Sequence, residues 1–254
     1  MANERQQRAA RAEQMRKERE KADRKQRNLI TVGIVVVVVA LIAVGGYAIK
    51  TTSDKNADNT TYVAPTNIGK DRSVVYSTEV ATGTAAKDPV TVVAYEDFQC
   101  PACLNFEQQS GAFLTDAVAQ GEITMEYRPI AFLDDSSNGN EYSSRAGSAA
   151  MCVLDQEGAK GFKKMHDVLY ANQPDEGTNG RTDAELIDYA KQAGVTGIDA
   201  CIKSEKFVPW MERATDDSRD AKVSATPTVL VDGKAVETPS VENLTAAIAA
   251  AKKG

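Results

Sequence analysis

The sequence predicts an α/β domain that carries an inserted helical block and stands behind a single membrane-spanning helix. Three observations predict it. The run Leu29–Ile49 (LITVGIVVVVVALIAVGGYAI) holds 21 residues without a charge. Beyond it, hydrophobic periodicity and turn signals alternate as strand, helix, strand, helical block, hairpin and helix. The apolar run Val90–Tyr95 leads into Cys100-Pro101-Ala102-Cys103, where a helix should begin.

Composition sets the outer bounds. With 254 residues, 42% hydrophobic and 26% charged, the chain is neither wholly disordered nor too short to bury a core. Four Cys are too sparse for a disulfide-held mini-protein, and one His with no Cys/His cluster argues against a multi-ligand zinc or copper protein. No metal is therefore expected. The net charge of −6 is an average over unlike regions. Residues 1–27 hold ten Lys/Arg against five Asp/Glu, whereas residues 51–254 hold 19 against 31.

Residues 1–28 form a basic arm without aromatic, Pro or Gly residues. Its cations suit anionic headgroups, and with half of them offset by acids and nothing to stack on bases, nucleic acid is not the expected partner. Residues 29–49 make a helix of roughly 31 Å, enough to cross a bilayer core and contact membrane lipid. The basic flank precedes it, so Met1 is expected in the cytoplasm and the remainder outside. A cleaved signal peptide is the rival reading, but its apolar region runs only about 7–15 residues. Residues 50–72 are polar and read as a flexible tether.

The exported domain is expected over 73–254. Ser73–Val80 reads as a strand, and Val90–Tyr95 as a central strand buried on both faces. A helix is expected from about Cys100 to Ala119, ended by Gly121, and then a strand over Glu122–Tyr127. Residues 140–222 read as the helical insertion, where Thr182 and Glu185 form a capping box. Thr228–Val231, Asp232-Gly233 and Lys234–Glu237 read as a hairpin, and Ser240 as the cap of an Ala-rich last helix.

The chemistry sits in Cys100-Pro101-Ala102-Cys103. Pro101 suits the first helical position, where an N–H would be unpaired. Cys100 then faces the positive end of the helix dipole, which favours its thiolate and makes it a nucleophile or leaving group near neutral pH. Cys103 lies one turn on, within bonding reach but deeper, as a resolving thiol requires. An inert disulfide or half of a metal site are the alternatives, the latter lacking a second CxxC or paired His.

Val92–Phe106 (VVAYEDFQCPACLNF), the helical block and Ala225-Thr226-Pro227-Thr228 before the hairpin resemble the DsbA-like thiol:disulfide oxidoreductases. The resemblance spans about residues 73–253. It implies a thioredoxin-like fold with a helical insertion, catalytic Cys100 and Cys103, no cofactor, and a cis Pro227 facing them. Thr226 and Pro227 would then bind a substrate strand, the carbonyl before Pro227 accepting its hydrogen bond. Two positions depart from the family pattern: Ala102 stands where His often stabilises the thiolate, and Ala94 where a buried acid is common. Glu96 and Asp97 are nearby acids, of which strand alternation lets at most one point the same way.

Cys152 and Cys201 have no CxxC partner, and outside the cell two lone Cys in one subdomain most simply form a structural disulfide. A relay-type redox pair is the alternative. His166 is expected to pack at the edge of an apolar face and Trp210 to anchor the core. The pairs Asp134-Asp135 and Asp216-Asp217 are expected on solvated surface.

These readings converge on a membrane-anchored, extracytoplasmic dithiol oxidase for reduced exported proteins. The resemblance implies reoxidation by a quinone-linked membrane protein. The alternatives are a reductase or isomerase of the same fold, or a non-catalytic anchored binding module.

Overall fold

A computed structural model describes residues 62–253. The predicted arm, membrane span and most of the tether lie outside these residues. Among the described residues no helix is long and apolar enough to cross a membrane.

Five strands form one mixed sheet in the order β1-β3-β2-β4-β5. They are β1 (Val74–Tyr76), β2 (Val90–Glu96), β3 (Ile123–Pro129), β4 (Thr228–Val231) and β5 (Lys234–Ala235). β2 pairs parallel with β3, Val92 opposite Met125, and antiparallel with β4, Val92 opposite Val231. Being covered on both faces explains its continuous apolar sequence. Val92 and Ala94 face the larger core, whereas Val93 and Tyr95 join Ile130 and Val223 in a smaller one. Alternation places Glu96 on the side of Val92 and Ala94.

The strand expected over Ser73–Val80 stops at Tyr76. The Ser77 side chain accepts a hydrogen bond from Val80 N–H and caps α1 (Thr78–Thr82), which ends at Gly83 with φ 86°. The β-branched Thr78 and Val80 disguise this short turn as strand. The long helix after Cys100 is not uniform. α2 (Pro101–Phe106) passes through one π-helical stretch, Glu107–Gly111, into α3 (Ala112–Ala119).

The insertion holds α4 (Tyr142–Ala171), α5 (Asp183–Gln192), α6 (Asp199–Lys203) and α7 (Val208–Asp220). The thirty-residue α4 breaks at Gly158, whose φ of 70° few side chains tolerate. Trp210, in the first turn of α7, is fully buried. Asp134 and Asp217 are not simply solvated. Asp134 accepts from the N–H and hydroxyl of Ser144, and Asp217 pairs with Arg72 at 2.5 Å. Thr182 and Glu185 form the full capping box of α5, and the Ser240 side chain caps α8 (Val241–Ala251). Asp232 (φ 50°) and Gly233 (φ 75°) turn the final hairpin, whose second strand is shorter than its sequence suggested.

Candidate active site

The site forms where β2 ends and α2 begins. Glu96 closes the strand, and Asp97 to Gln99 turn the chain into Cys100, the extended residue that caps α2. The turn is held from several sides. Asp97 Oδ1 accepts from the Gln99 N–H at 2.8 Å and the Ser143 hydroxyl at 2.6 Å, and Oδ2 accepts from the Leu133 N–H at 2.9 Å. Gln173 Nε2 donates to the carbonyls of Phe98 and Cys100, each at 3.0 Å. Burial pushes the Asp97 carboxyl up to about 6 despite these donors.

Cys100 and Cys103 are both free thiols in unequal environments. Cys100 retains 7% exposure beside exposed Pro101 and Ala102, while Cys103 has none. The Cys103 thiol, the Thr226 side chain and the N–H groups of Ala102 and Cys103 stabilise the Cys100 thiolate. They overcome burial and bring its pKa down to about 6. Burial above all, then Cys100 and the charge of Glu96, push the Cys103 thiol far above its ordinary range. A visiting thiol thus meets one accessible, acidic sulfur backed by one that holds its proton.

The second segment leads into β4, the strand next to β2. The Thr226–Pro227 peptide is cis, and the Thr226 carbonyl lies 3.4 Å from Cys100 Sγ. Some 126 residues of sequence separate these groups, and the pairing of β2 with β4 joins them. Ser224 and Ala225 beside them are exposed, leaving an approach for an extended chain.

This geometry can be set beside known proteins. A family model described as thioredoxin matches residues 77–250, more than half of the chain. The reduced disulfide bond oxidoreductase DsbG from Mycobacterium tuberculosis superimposes with a TM-score of 0.63 at 32% identity, covering 73% of this chain and 90% of that one. The chain belongs to the thioredoxin family, in its DsbA-like branch. A probable disulfide bond formation protein D from Bacillus cereus is 24% identical over 231 residues, 88% of this chain and 97% of the relative. The serine/threonine-protein kinase PknE of M. tuberculosis is 35% identical over 121 residues, but this chain spans only 21% of that kinase.

Within this DsbA-like domain, sequence reasoning missed three residues. His166 does not lie at the edge of an apolar face. It is fully buried among Phe98, Tyr127, Phe162 and Tyr170, with Nε2 3.3 Å from Glu96 Oε2 and Nδ1 3.3 Å from Asp167 Oδ1. Burial alone would lower the imidazole pKa, but the carboxylates of Glu107, Asp167 and Glu96 outweigh it and raise it to about 9. Glu107, four residues after Cys103, turns toward the same cluster. Its spacing was the available signal, since i and i+4 share a helix face. Gln173 left no signal, because a polar residue past a helix end looks like any other loop residue. Cys152 and Cys201 lie apart from the site and are joined, with S–S 2.02 Å and Cα–Cα 6.0 Å.

Proposed function

We propose that this chain is a membrane-anchored thiol:disulfide oxidoreductase acting outside the cytoplasm, and that it works as a dithiol oxidase on reduced exported proteins. The unequal sulfurs carry this reading. In the oxidised enzyme a substrate thiolate attacks Cys100 Sγ, the sulfur with access. The Cys100–Cys103 bond breaks, and Cys103 leaves as a thiolate that takes up a proton, as its burial favours. The substrate's second thiolate then attacks the substrate sulfur of the mixed disulfide and expels Cys100. A thiol of low pKa is the better leaving group, so this step is fast. Two electrons pass from the substrate dithiol to the Cys100–Cys103 pair. Stabilising the reduced enzyme through the Cys100 thiolate makes the pair oxidising.

Thr226 and Pro227 would hold the substrate strand against Cys100. Reoxidation falls to a quinone-linked membrane protein, whose effective concentration the span at residues 29–49 would raise. The names of the DsbG and protein D relatives support the chemical class, and the uncharged 21-residue run supports the anchor.

Two measurements test the proposal. Cys103→Ser expressed in its native host should accumulate reductant-sensitive adducts on Cys100, and their absence overturns any exchange activity at this pair. The reduction potential should lie well above the thioredoxin value of about −270 mV. A value near it rejects the oxidase direction and leaves a reductase or isomerase, the direction that Ala102 in place of His would favour.

A further inference from the structure

Behind the cysteine pair, Glu96, Glu107 and His166 each turn one ligand atom inward, and these three atoms lie within 4.8 Å of one another. They come from the end of β2, the π-helical stretch after α2 and, far along the chain, the second half of α4. Glu96 is 3% exposed, and its Oε1 has no hydrogen-bond partner. Glu107 Oε1 is likewise buried and unpartnered. A buried carboxylate oxygen without a donor is costly, so it asks for a cation or a proton.

Three further features point to a built cation site. Glu107 opens the π-helical stretch Glu107–Gly111, and such single π turns recur at functional sites. A Cβ on Gly111 would stand 2.6 Å from Glu107 Oε2, so a larger residue there would push that carboxylate from its present position. His166 also has the arrangement of a metal-ligating imidazole. Nε2 faces the acids, while Nδ1 faces Asp167, which is itself held by Lys163 Nζ at 2.5 Å. A carboxylate on the far nitrogen fixes ring orientation and makes the near one a better ligand. A cavity of about 550 Å³ lined by Leu104, Glu107, Gly111, Lys163, Asp167 and Tyr170 reaches the cluster from solvent on its Glu107 side.

We propose that Glu96, Glu107 and His166 form a binding site for one divalent first-row transition-metal ion, Zn²⁺ or Mn²⁺, with its remaining position open to water through this cavity. Imidazole with two carboxylates suits these ions, whereas Mg²⁺ and Ca²⁺ prefer sites of oxygen alone. The ion's two positive charges would match the two glutamates. It would replace the protons that otherwise offset them. Cys and His spacing along the chain, on which the expectation of no metal rests, is blind to such a cluster.

The test uses the full chain with Cys100 and Cys103 oxidised to a disulfide, so that neither thiolate can bind metal. After chelator treatment and dialysis, Zn²⁺ is titrated by calorimetry, with Mg²⁺ and Ca²⁺ as controls. One Zn²⁺ per chain should bind, and Glu107→Gln should weaken it at least tenfold. Asp116→Asn, an exposed acid on the same cavity, should leave it unchanged. His166 is the only histidine in the chain, so its ring resonances report on the site without any substitution. Zn²⁺ should shift them at one equivalent, and Mn²⁺ should broaden them. Absent saturable binding, binding indifferent to Glu107→Gln, or binding that leaves the His166 ring unmoved would each overturn the site. None of these outcomes touches the exchange chemistry proposed for Cys100, which is measured separately.

Discussion

The two cysteine pairs of this chain hold two sulfur atoms each and are built for opposite ends. Cys100 and Cys103 sit three residues apart at the start of one helix, one with access and one sealed. Cys152 and Cys201 are 49 residues apart and tie α4 to α6 inside the helical block. In the first pair the protein stabilises the open, reduced form, because helix N–H groups and a neighbouring thiol hold the Cys100 thiolate. In the second the closed bond itself contributes, by restricting the unfolded chain. What separates a switch from a staple here is which oxidation state the surroundings stabilise.

The sharpest way to break this contrast is to exchange the roles by mutation. Cys100→Ser should reduce thiol–disulfide exchange to background in a turbidity or peptide-oxidation assay, with folding intact by circular dichroism. The double change Cys152→Ala/Cys201→Ala should do the reverse, leaving exchange near wild type and lowering unfolding stability by about 4 kcal/mol in urea titration. If the double variant lost exchange in proportion, the second pair would be a redox relay and the contrast would fail.

The next effect is one of pH. A thiol with a pKa of about 6 is roughly nine-tenths ionised at pH 7, so alkylation of Cys100 in the reduced protein should rise with a midpoint near 6. The sign of the linked stability follows. A thiol whose folded pKa is depressed contributes stability that is complete above its unfolded value and lost as pH falls through 6. The reduced wild type should therefore gain stability over Cys100→Ser between pH 5 and 8, while the oxidised protein shows no such term. An alkylation midpoint at the ordinary thiol value would remove the asymmetry on which the oxidase reading stands.

The smallest effect probes the helical block away from both pairs. Thr182→Ala removes the acceptor for the Glu185 N–H and one partner of the Glu185 carboxylate. It should cost about 1 kcal/mol of stability with exchange unchanged. A change in exchange rate would show that α5 is coupled to the cysteine site.

How much of this was legible depended on the range of each cause. Pro101 at the helix start, the Thr182–Glu185 box, Ser240 and Asp232-Gly233 act within four residues, and each was readable where it stood. The short helix at Thr78–Thr82 was misread for a local reason too, since its β-branched residues favour strand and only the Ser77 cap argued otherwise. The cluster around His166 was illegible, because a lone histidine four residues after Phe162 looks like any half-buried ring. Its partners Glu96 and Glu107 lie 70 and 59 residues away, and no periodicity links them.

The sequence by itself determined where the reactive sulfur stands and part of why it is acidic, since the Cys103 thiol and the first N–H groups of the helix both belong to the motif. It also set the nearly unbroken apolar run that marks β2 as the centre of the sheet. Only the tertiary structure decided what surrounds that sulfur: the Thr226 carbonyl across the sheet, the Gln173 side chain that holds the turn, and the buried acids behind Cys103. Their effects depend on distance through space and on exclusion of water, and neither quantity exists until the chain has folded.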